Sequence, residues 1–231
     1  MRPIFYDTET TGIKIGKDRV IEIAAYDSNN DKTFQTLINP NMLIPQESQA
    51  ICHITDEMVK DAPTLEEMAQ DFIDFCGDDS ILIAHNNDKF DKPFLEAEFL
   101  RINLPFPKFT YFDTLKWARK YRNDLPRHSL QYLREVYNID ANQAHRALDD
   151  VIILYKVYLK MVDDIPIDIA HNLLYSKSLL TTMPFGKHQG KPLKDVPVNY
   201  IKWLDENEIL KKDDNKLLRN SLVKLGILQE S

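Results

Sequence analysis

Cysteine is nearly missing from this chain: 231 residues hold two, Cys52 and Cys76. Two are too few for a disulfide framework, and their apolar neighbours make them buried thiols of a reducing compartment. Also missing is any apolar run approaching the roughly 20 residues that span a bilayer, which excludes a membrane-spanning class. Acidic side chains arrive at Asp7 and Glu9 before an apolar leader core can form, so no secretory signal is expected and the cytoplasm is the expected location. Positive charge is short too. The net charge of −7 argues against a broad basic face for a polyanion. The deficit is uneven, however: from residue 184 onward nine Lys+Arg outnumber seven Asp+Glu, leaving −9 on residues 1–183.

What remains is ordinary for a globular protein. A hydrophobic content of 43% at this length supports one sizeable core with room for a small appended unit. Ile4, Phe5 and Tyr6 are β-branched or aromatic and read as a strand that Gly12 ends. Side chains two apart on a strand share a side, so Asp7 and Glu9 face one object together. Uncompensated burial of such a pair costs several kcal/mol or more. Either the two face solvent as an acidic edge, or a cation sits between them, and oxygen ligands favour Mg²⁺ or Mn²⁺.

The pattern continues with strands over residues 20–27 and 31–38, joined by the turn residues Ser28-Asn29-Asn30. A loop with Pro45 comes next. Thr55 and Thr64 read as helix N-caps, Thr64 with Glu67 in a capping box. Residues 80–84 are a short apolar run that suits a central strand buried on both faces. Asp91 then opens a helix with Pro93 in its first turn, at the strand end where open α/β sheets bind ligands. A last strand over 109–112 leads into a helix to Tyr121, Ser129 caps another, and residues 151–162 make a long apolar helix. Asp150 lines up with Leu154, Val157 and Met161 on the inward stripe of that helix, while Asp149 lines up with Ile153, Lys156 and Lys160, a more solvated face. Asp150 is therefore the acid expected to function. His145, five residues earlier, is poorly phased with it on a helix and reads as a loop residue swinging over the site.

Together these residues resemble a known family. Asp7-Thr8-Glu9-Thr10-Thr11-Gly12, His85-Asn86 through Phe90-Asp91, and His145 to Asp150 are similar to the three motifs of the DEDDh-type 3′→5′ exonucleases of the DnaQ-like superfamily. Ile51-Cys52-His53-Ile54-Thr55 resembles its connecting segment, with His53 where Gly is more usual. Three residues, not two, separate His85-Asn86 from Phe90-Asp91, which leaves Asp88 as a rival to Asp91.

The resemblance implies an α/β fold: an RNase H-like mixed five-stranded sheet flanked by helices, plus a small C-terminal α+β unit. It implies Asp7, Glu9, Asp91 and Asp150 as ligands of two Mg²⁺ ions, with Mn²⁺ as a substitute, and His145 as general base. Thr8, Thr10, Thr11, Gly12, Ile13, His53, Asn86 and Phe90 would line the substrate groove, Ile13 as an apolar wedge against a base. The implied partner is nucleic acid, the 3′ end of DNA as a single strand, with no membrane; a homodimer is admitted. Exoribonuclease or polymerase-proofreading roles on the same fold stay open, as does a catalytically silent binding module. A haloacid-dehalogenase-like phosphatase also opens with a strand and two acids, but wants Asp where Glu9 stands.

The expected divisions are a nuclease domain over 1–165, a linker helix over 166–182 and a C-terminal domain over 183–231. That last stretch resembles the C-terminal domain of exodeoxyribonuclease X-like proteins through Phe185-Gly186-Lys187 and Tyr200 to Leu204. It reads as a hairpin over 183–193 and two short helices, with Tyr200, Trp203 and Leu204 in a small core. Lys187, Lys191 and Lys194 form a basic cluster that reads first as a solvated face.

Overall fold

A sheet of five strands, in the order β3-β2-β1-β4-β5, carries the first unit of the chain. It is seen in a computed structural model that describes residues 1–140, 147–176 and 179–229. β1 (Arg2–Thr10), β2 (Val20–Asp27) and β3 (Lys32–Leu37) form an antiparallel meander. β4 (Ser80–Ala84) and β5 (Thr110–Asp113) run parallel to β1. β4 is buried along its whole length, as its unbroken apolar run requires. Because β1, β4 and β5 run the same way, their C-terminal loops emerge at one end of the sheet.

Helices complete this unit. α1 (Gln46–Cys52) occupies what the sequence reads as the Pro45 loop; Pro45 is its N-cap, and proline's fixed φ is compatible with entering a helix. α2 (Asp56–Val59) comes directly after Thr55. α3 (Leu65–Cys76) begins with the Thr64 amide donating to the Glu67 carboxylate at 2.7 Å. α4 (Asp91–Arg101) leaves β4, and α5 (Thr114–Tyr121) leaves β5 with Asp113 accepting from the amides of Leu115 and Lys116. α6 (Leu130–Val136) is capped by Ser129, and α7 (Ala147–Val162) starts before the predicted residue 151, so Asp150 lies within its first turn.

The two faces of β1 meet different partners. Ile4 and Tyr6 point into a core shared with Met68, Phe72 and Phe94, on the side of α3 and α4. Phe5 points the other way, edge-on to Tyr155 and Tyr158 of α7 at 5.1 and 5.2 Å. By alternation Asp7 and Glu9 lie on the α7 side.

The chain divides into two compact units, Met1–Leu174 and Tyr175–Ser231, with α8 (Ile167–Tyr175) at the boundary. The second has its own core of Met183, Leu193, Val196, Ile201, Leu204, Leu210, Leu218 and Leu222, built on α9 (Val198–Glu206) and α10 (Lys216–Lys224). Its predicted hairpin is reduced to a chain reversal. The amide of Met183 donates to the carbonyl of Lys191, and the pairing is a single Thr182–Pro192 bridge. Pro184 and Pro192 lack ladder donors, and Gly186 and Gly190 take positive φ, so a strand pair cannot propagate. Trp203 departs from the sequence reading as well: Leu204 is buried, but Trp203 is 49% exposed.

Candidate active site

Carboxylates gather at the end of β1 because strand alternation and a helix start meet there. One oxygen each from Asp7, Glu9 and Asp150 lies within 4.8 Å of the others, all three residues half-buried. Asp91 approaches differently. It begins α4, on the opposite side of β1, and its Oδ1 accepts from the amide and hydroxyl of Thr8 at 3.1 and 2.8 Å. It stands outside the trio yet is close enough to act strongly on Asp7. Asp88, its rival in sequence, turns instead to Lys116 at 3.1 Å. His145 lies outside the described residues.

The electrostatics are lopsided. Burial, then Asp91, Glu9, Asp150 and Glu22, hold the Asp7 carboxyl well above the usual carboxylate range. Glu9 is pushed up to about 7 by burial, Asp150, Glu22 and Asp91. Burial lifts Asp91 to about 7 against the pull of the Thr8 hydrogen bonds. The charges that act most on Asp7 are all negative. Hard oxygen donors packed this closely fit a hard divalent cation, which would remove the repulsion that protons otherwise relieve.

Around the trio, residues 10–19 form a braced loop. The Thr10 hydroxyl donates to the Gly12 carbonyl at 2.6 Å, and the Thr11 hydroxyl accepts from the Arg19 amide at 2.9 Å. A Cβ on Gly12 would fall 2.5 Å from an Asp18 carboxylate oxygen, so a larger residue would displace that carboxylate from the Lys14 amide. Ile13 stands 81% exposed on this loop. Arg19 anchors the far end by pairing with the buried Glu98 of α4 at 3.0 Å. His53 is exposed and caps α1 at φ 57°, a left-handed position that explains why glycine also suits it. Asn86 takes φ 71° and its amide donates to Asp113 at 3.2 Å. Phe90 packs on Phe94 with ring centroids 4.8 Å apart. His85 is structural: its ring bonds Thr114 and the His128 carbonyl, and burial lowers its pKa to about 4.

Sequence reasoning missed three participants. Glu22 pairs with Glu9 across β1 and β2, is fully buried, and accepts from Gln35 at 2.8 Å and from the Ala147 amide at 3.4 Å. A lone acid inside Val20-Ile21-Glu22-Ile23-Ala24-Ala25 is a local contradiction, and such contradictions flag functional sites. Buried Asn87 accepts from the Tyr6 hydroxyl, and Ser48 donates to the Thr11 carbonyl at 2.7 Å. Neither carries a signal in sequence beyond its polar type.

Known proteins share both the sequence pattern and the sheet. Residues 4–158 match the family described as "Exonuclease", and residues 173–212 match one described as "Putative quorum-sensing-regulated virulence factor". The PolC-type DNA polymerases III of Staphylococcus epidermidis and Staphylococcus aureus are 32% identical over 162 residues, 69% of this chain. The chain spans 11% of the length of those relatives. E. coli exonuclease I with a dA16 oligonucleotide superposes at TM-score 0.63 and 19% identity, over 75% of this chain and 43% of that one. Exonuclease X with 5′-overhanging duplex DNA gives 0.57 and 23%, over 74% and 99%. The nuclease domain of 3′hExo, a DEDDh family member bound to rAMP, gives 0.60 and 19%, over 71% and 92%. The solved structures share the RNase H-like fold of the first unit.

Proposed function

The chain belongs to the exonuclease family, and from that premise we propose that it removes 3′-terminal nucleotides from DNA, single strands or 3′ ends, by hydrolysing the last phosphodiester. The observation that carries this reading is the approach of Asp7, Glu9 and Asp150 to within 4.8 Å, with Asp91 bonded to the intervening Thr8. These four acids would hold two Mg²⁺ ions, or Mn²⁺ in their place. Bound there, the ions supply activation of a water and stabilisation of the leaving oxygen.

The chain's own groups do the rest. His145 takes the proton from the attacking water, a role suited to a side chain whose ordinary pKa lies near neutrality. Ile13, exposed on its braced loop, packs against the terminal base, and the turn at Thr10 to Gly12 lies along the sugar. Thr8 keeps Asp91 oriented. Asn86 and Phe90 fix the start of α4, and His53 closes the groove from α1. The division into a nuclease domain over 1–165, a linker helix over 166–182 and a C-terminal domain over 183–231 belongs to the same proposal, supported by the separate cores of the two units. So does a cytoplasmic location, supported by two buried free cysteines.

A second reading is favoured by the PolC-type relatives: a proofreading exonuclease acting beside a polymerase. One experiment addresses both. The purified chain is incubated with 5′-labelled DNA and RNA, single-stranded, duplex, and duplex with a 3′ mismatch, in Mg²⁺, Mn²⁺ or EDTA. The expected result is stepwise shortening from the 3′ end of DNA in metal alone, fastest on single strands. A marked preference for mismatched over free single-stranded ends would select proofreading, and no shortening of any substrate would reject the nuclease reading.

A further inference from the structure

The C-terminal unit has a feature the proposed reaction does not use. Tyr200 and Trp203, three apart on α9, stack on one another with ring centroids 5.9 Å apart and planes 15° from parallel. The Lys187 ammonium sits 5.0 Å above the Tyr200 ring, and the His188 ring meets that ring edge-on at 4.8 Å. With Pro197 and Asn199 they line a cleft of about 600 Å³ that no carboxylate enters among the described residues.

The local chain is shaped to make this face. Gly186 takes φ +74°, and a Cβ there would fall 2.5 Å from the Tyr200 hydroxyl, so glycine lets the 186–188 turn close against the end of that side chain. Burial, then the positive charges of Lys187 and Lys191, lowers the His188 pKa. The unit's charge has the same sign: residues 175–231 carry ten Lys+Arg and seven Asp+Glu, against 19 and 29 in residues 1–174. A half-exposed tryptophan beside lysines exposes apolar area that the fold does not need for its core.

We propose that this face is a second nucleic-acid site: a platform on which bases of a single strand stack against Trp203, itself backed by Tyr200, while Lys187 and Lys191 meet the phosphates. Ring faces accept any base, and the lysines give affinity without reading sequence, as in other single-strand platforms. The charge balance explains the need: the acidic nuclease unit attracts a polyanion weakly, and the basic unit compensates. The inference rests on the nucleic-acid reading of the first unit.

The test uses the whole chain in EDTA, where no hydrolysis occurs, with fluorescein-labelled oligothymidylate as the probe. Of the two tryptophans, Trp117 is 2% exposed and Trp203 49%, so quenching of tryptophan emission by unlabelled oligothymidylate reports on Trp203. Trp203→Ala should weaken binding roughly 5- to 150-fold, the loss of one stacked base, while Trp203→Phe retains most of it. Lys187→Ala with Lys191→Ala should flatten the salt dependence by about 1.4 in the log–log slope, two single-strand phosphate contacts. Metal-dependent hydrolysis of thymidine 5′-monophosphate p-nitrophenyl ester, which has no further nucleotides to stack on Trp203, should be unchanged in all of them. Unaltered affinity in Trp203→Ala, with no quenching in the wild type, would overturn the platform while leaving that ester assay to judge the nuclease reading separately. Binding by a duplex or by an acidic peptide in place of the single strand would overturn it too.

Discussion

At the end of β1 three carboxylates crowd within 4.8 Å of one another, whereas beside the stacked rings of α9 the charge comes from lysines. The acids are assembled from elements far apart in sequence and are held against their mutual repulsion by the sheet. The lysines sit on one short turn and its flank and are held against nothing. An acidic site cannot meet a phosphate until a cation intervenes, so its behaviour should vary with metal and pH. A lysine meets a phosphate directly, so its behaviour should vary with ionic strength. Substitutions among the acids can break the first half of that contrast.

The largest effect is expected from Asp7→Ala. It removes the carboxylate that burial and four acidic neighbours hold well above the usual range, and with it one of the proposed metal ligands. Nuclease activity should fall below detection while the metal-free protein melts no lower than wild type, because a repelling charge has gone. Gel assays with Mn²⁺ and a thermal melt in EDTA check the two halves. Retained activity would refute the site outright.

Next in size is His145→Ala. A general base contributes roughly 10²–10⁴-fold, so turnover should drop by that factor while calorimetric Mn²⁺ affinity stays within error of wild type. Loss of metal binding along with turnover would make His145 a ligand rather than a base.

Smaller still is a pH effect on stability. Glu9 sits at about 7 in the fold against an ordinary 4.5, so between those values the native state keeps a proton that the unfolded chain releases. Stability contributed by this group is therefore present at low pH and lost as pH rises through about 7. His85 has the opposite slope over about 4 to 6.5, because its folded pKa is lowered. Subtracting the melting curve of Glu9→Gln from that of wild type cancels His85 and isolates the acid. In EDTA the wild type should lose a few degrees relative to the variant between pH 5 and 8, and Mn²⁺ should restore them at pH 8 but not at pH 5. A flat difference across that range would mean that the carboxylates do not burden the metal-free fold.

Much of this site is legible in the sequence. The i, i+2 spacing of Asp7 and Glu9, the apolar run of β4 and the inward stripe behind Asp150 each come from a single period, and the caps Thr64 and Ser129 from local chemistry. What escapes is whatever depends on register between distant segments. That Asp91 bonds Thr8 and comes from the opposite side of β1 requires the parallel β1–β4 pairing, which the sequence alone does not display. Trp203 escapes for a geometric reason. On a helix it lies about 130° from the midline of the buried Ile201 and Leu204, so a spacing that resembles an inward stripe instead carries one ring out to solvent. Helix α1 is obscured by Pro45, a residue compatible with both a loop and a helix start.

The finest distinction concerns Glu22, the buried acid paired with Glu9 across the strands. Its charge helps to raise both Asp7 and Glu9, while its hydrogen bonds reach Gln35 and the first amide of α7. Two roles are mixed here, one electrostatic and one positional. Glu22→Gln keeps an acceptor for the amide and removes the charge. If the role is electrostatic, Glu9 loses a repelling neighbour and its pKa falls, so protons compete less with metal. The pH midpoint for Mn²⁺ binding should then move down by a fraction of a unit, and turnover at pH 8 should change by less than about tenfold, since a shift of one unit is worth about 1.36 kcal/mol. If the role is positional, the midpoint stays and Glu22→Ala alone is impaired, because only alanine removes the acceptor that holds the start of α7 and with it Asp150. Metal titrations of the two variants from pH 5 to 8 separate the cases, and an unmoved midpoint with both variants fully active would leave Glu22 no part in the site.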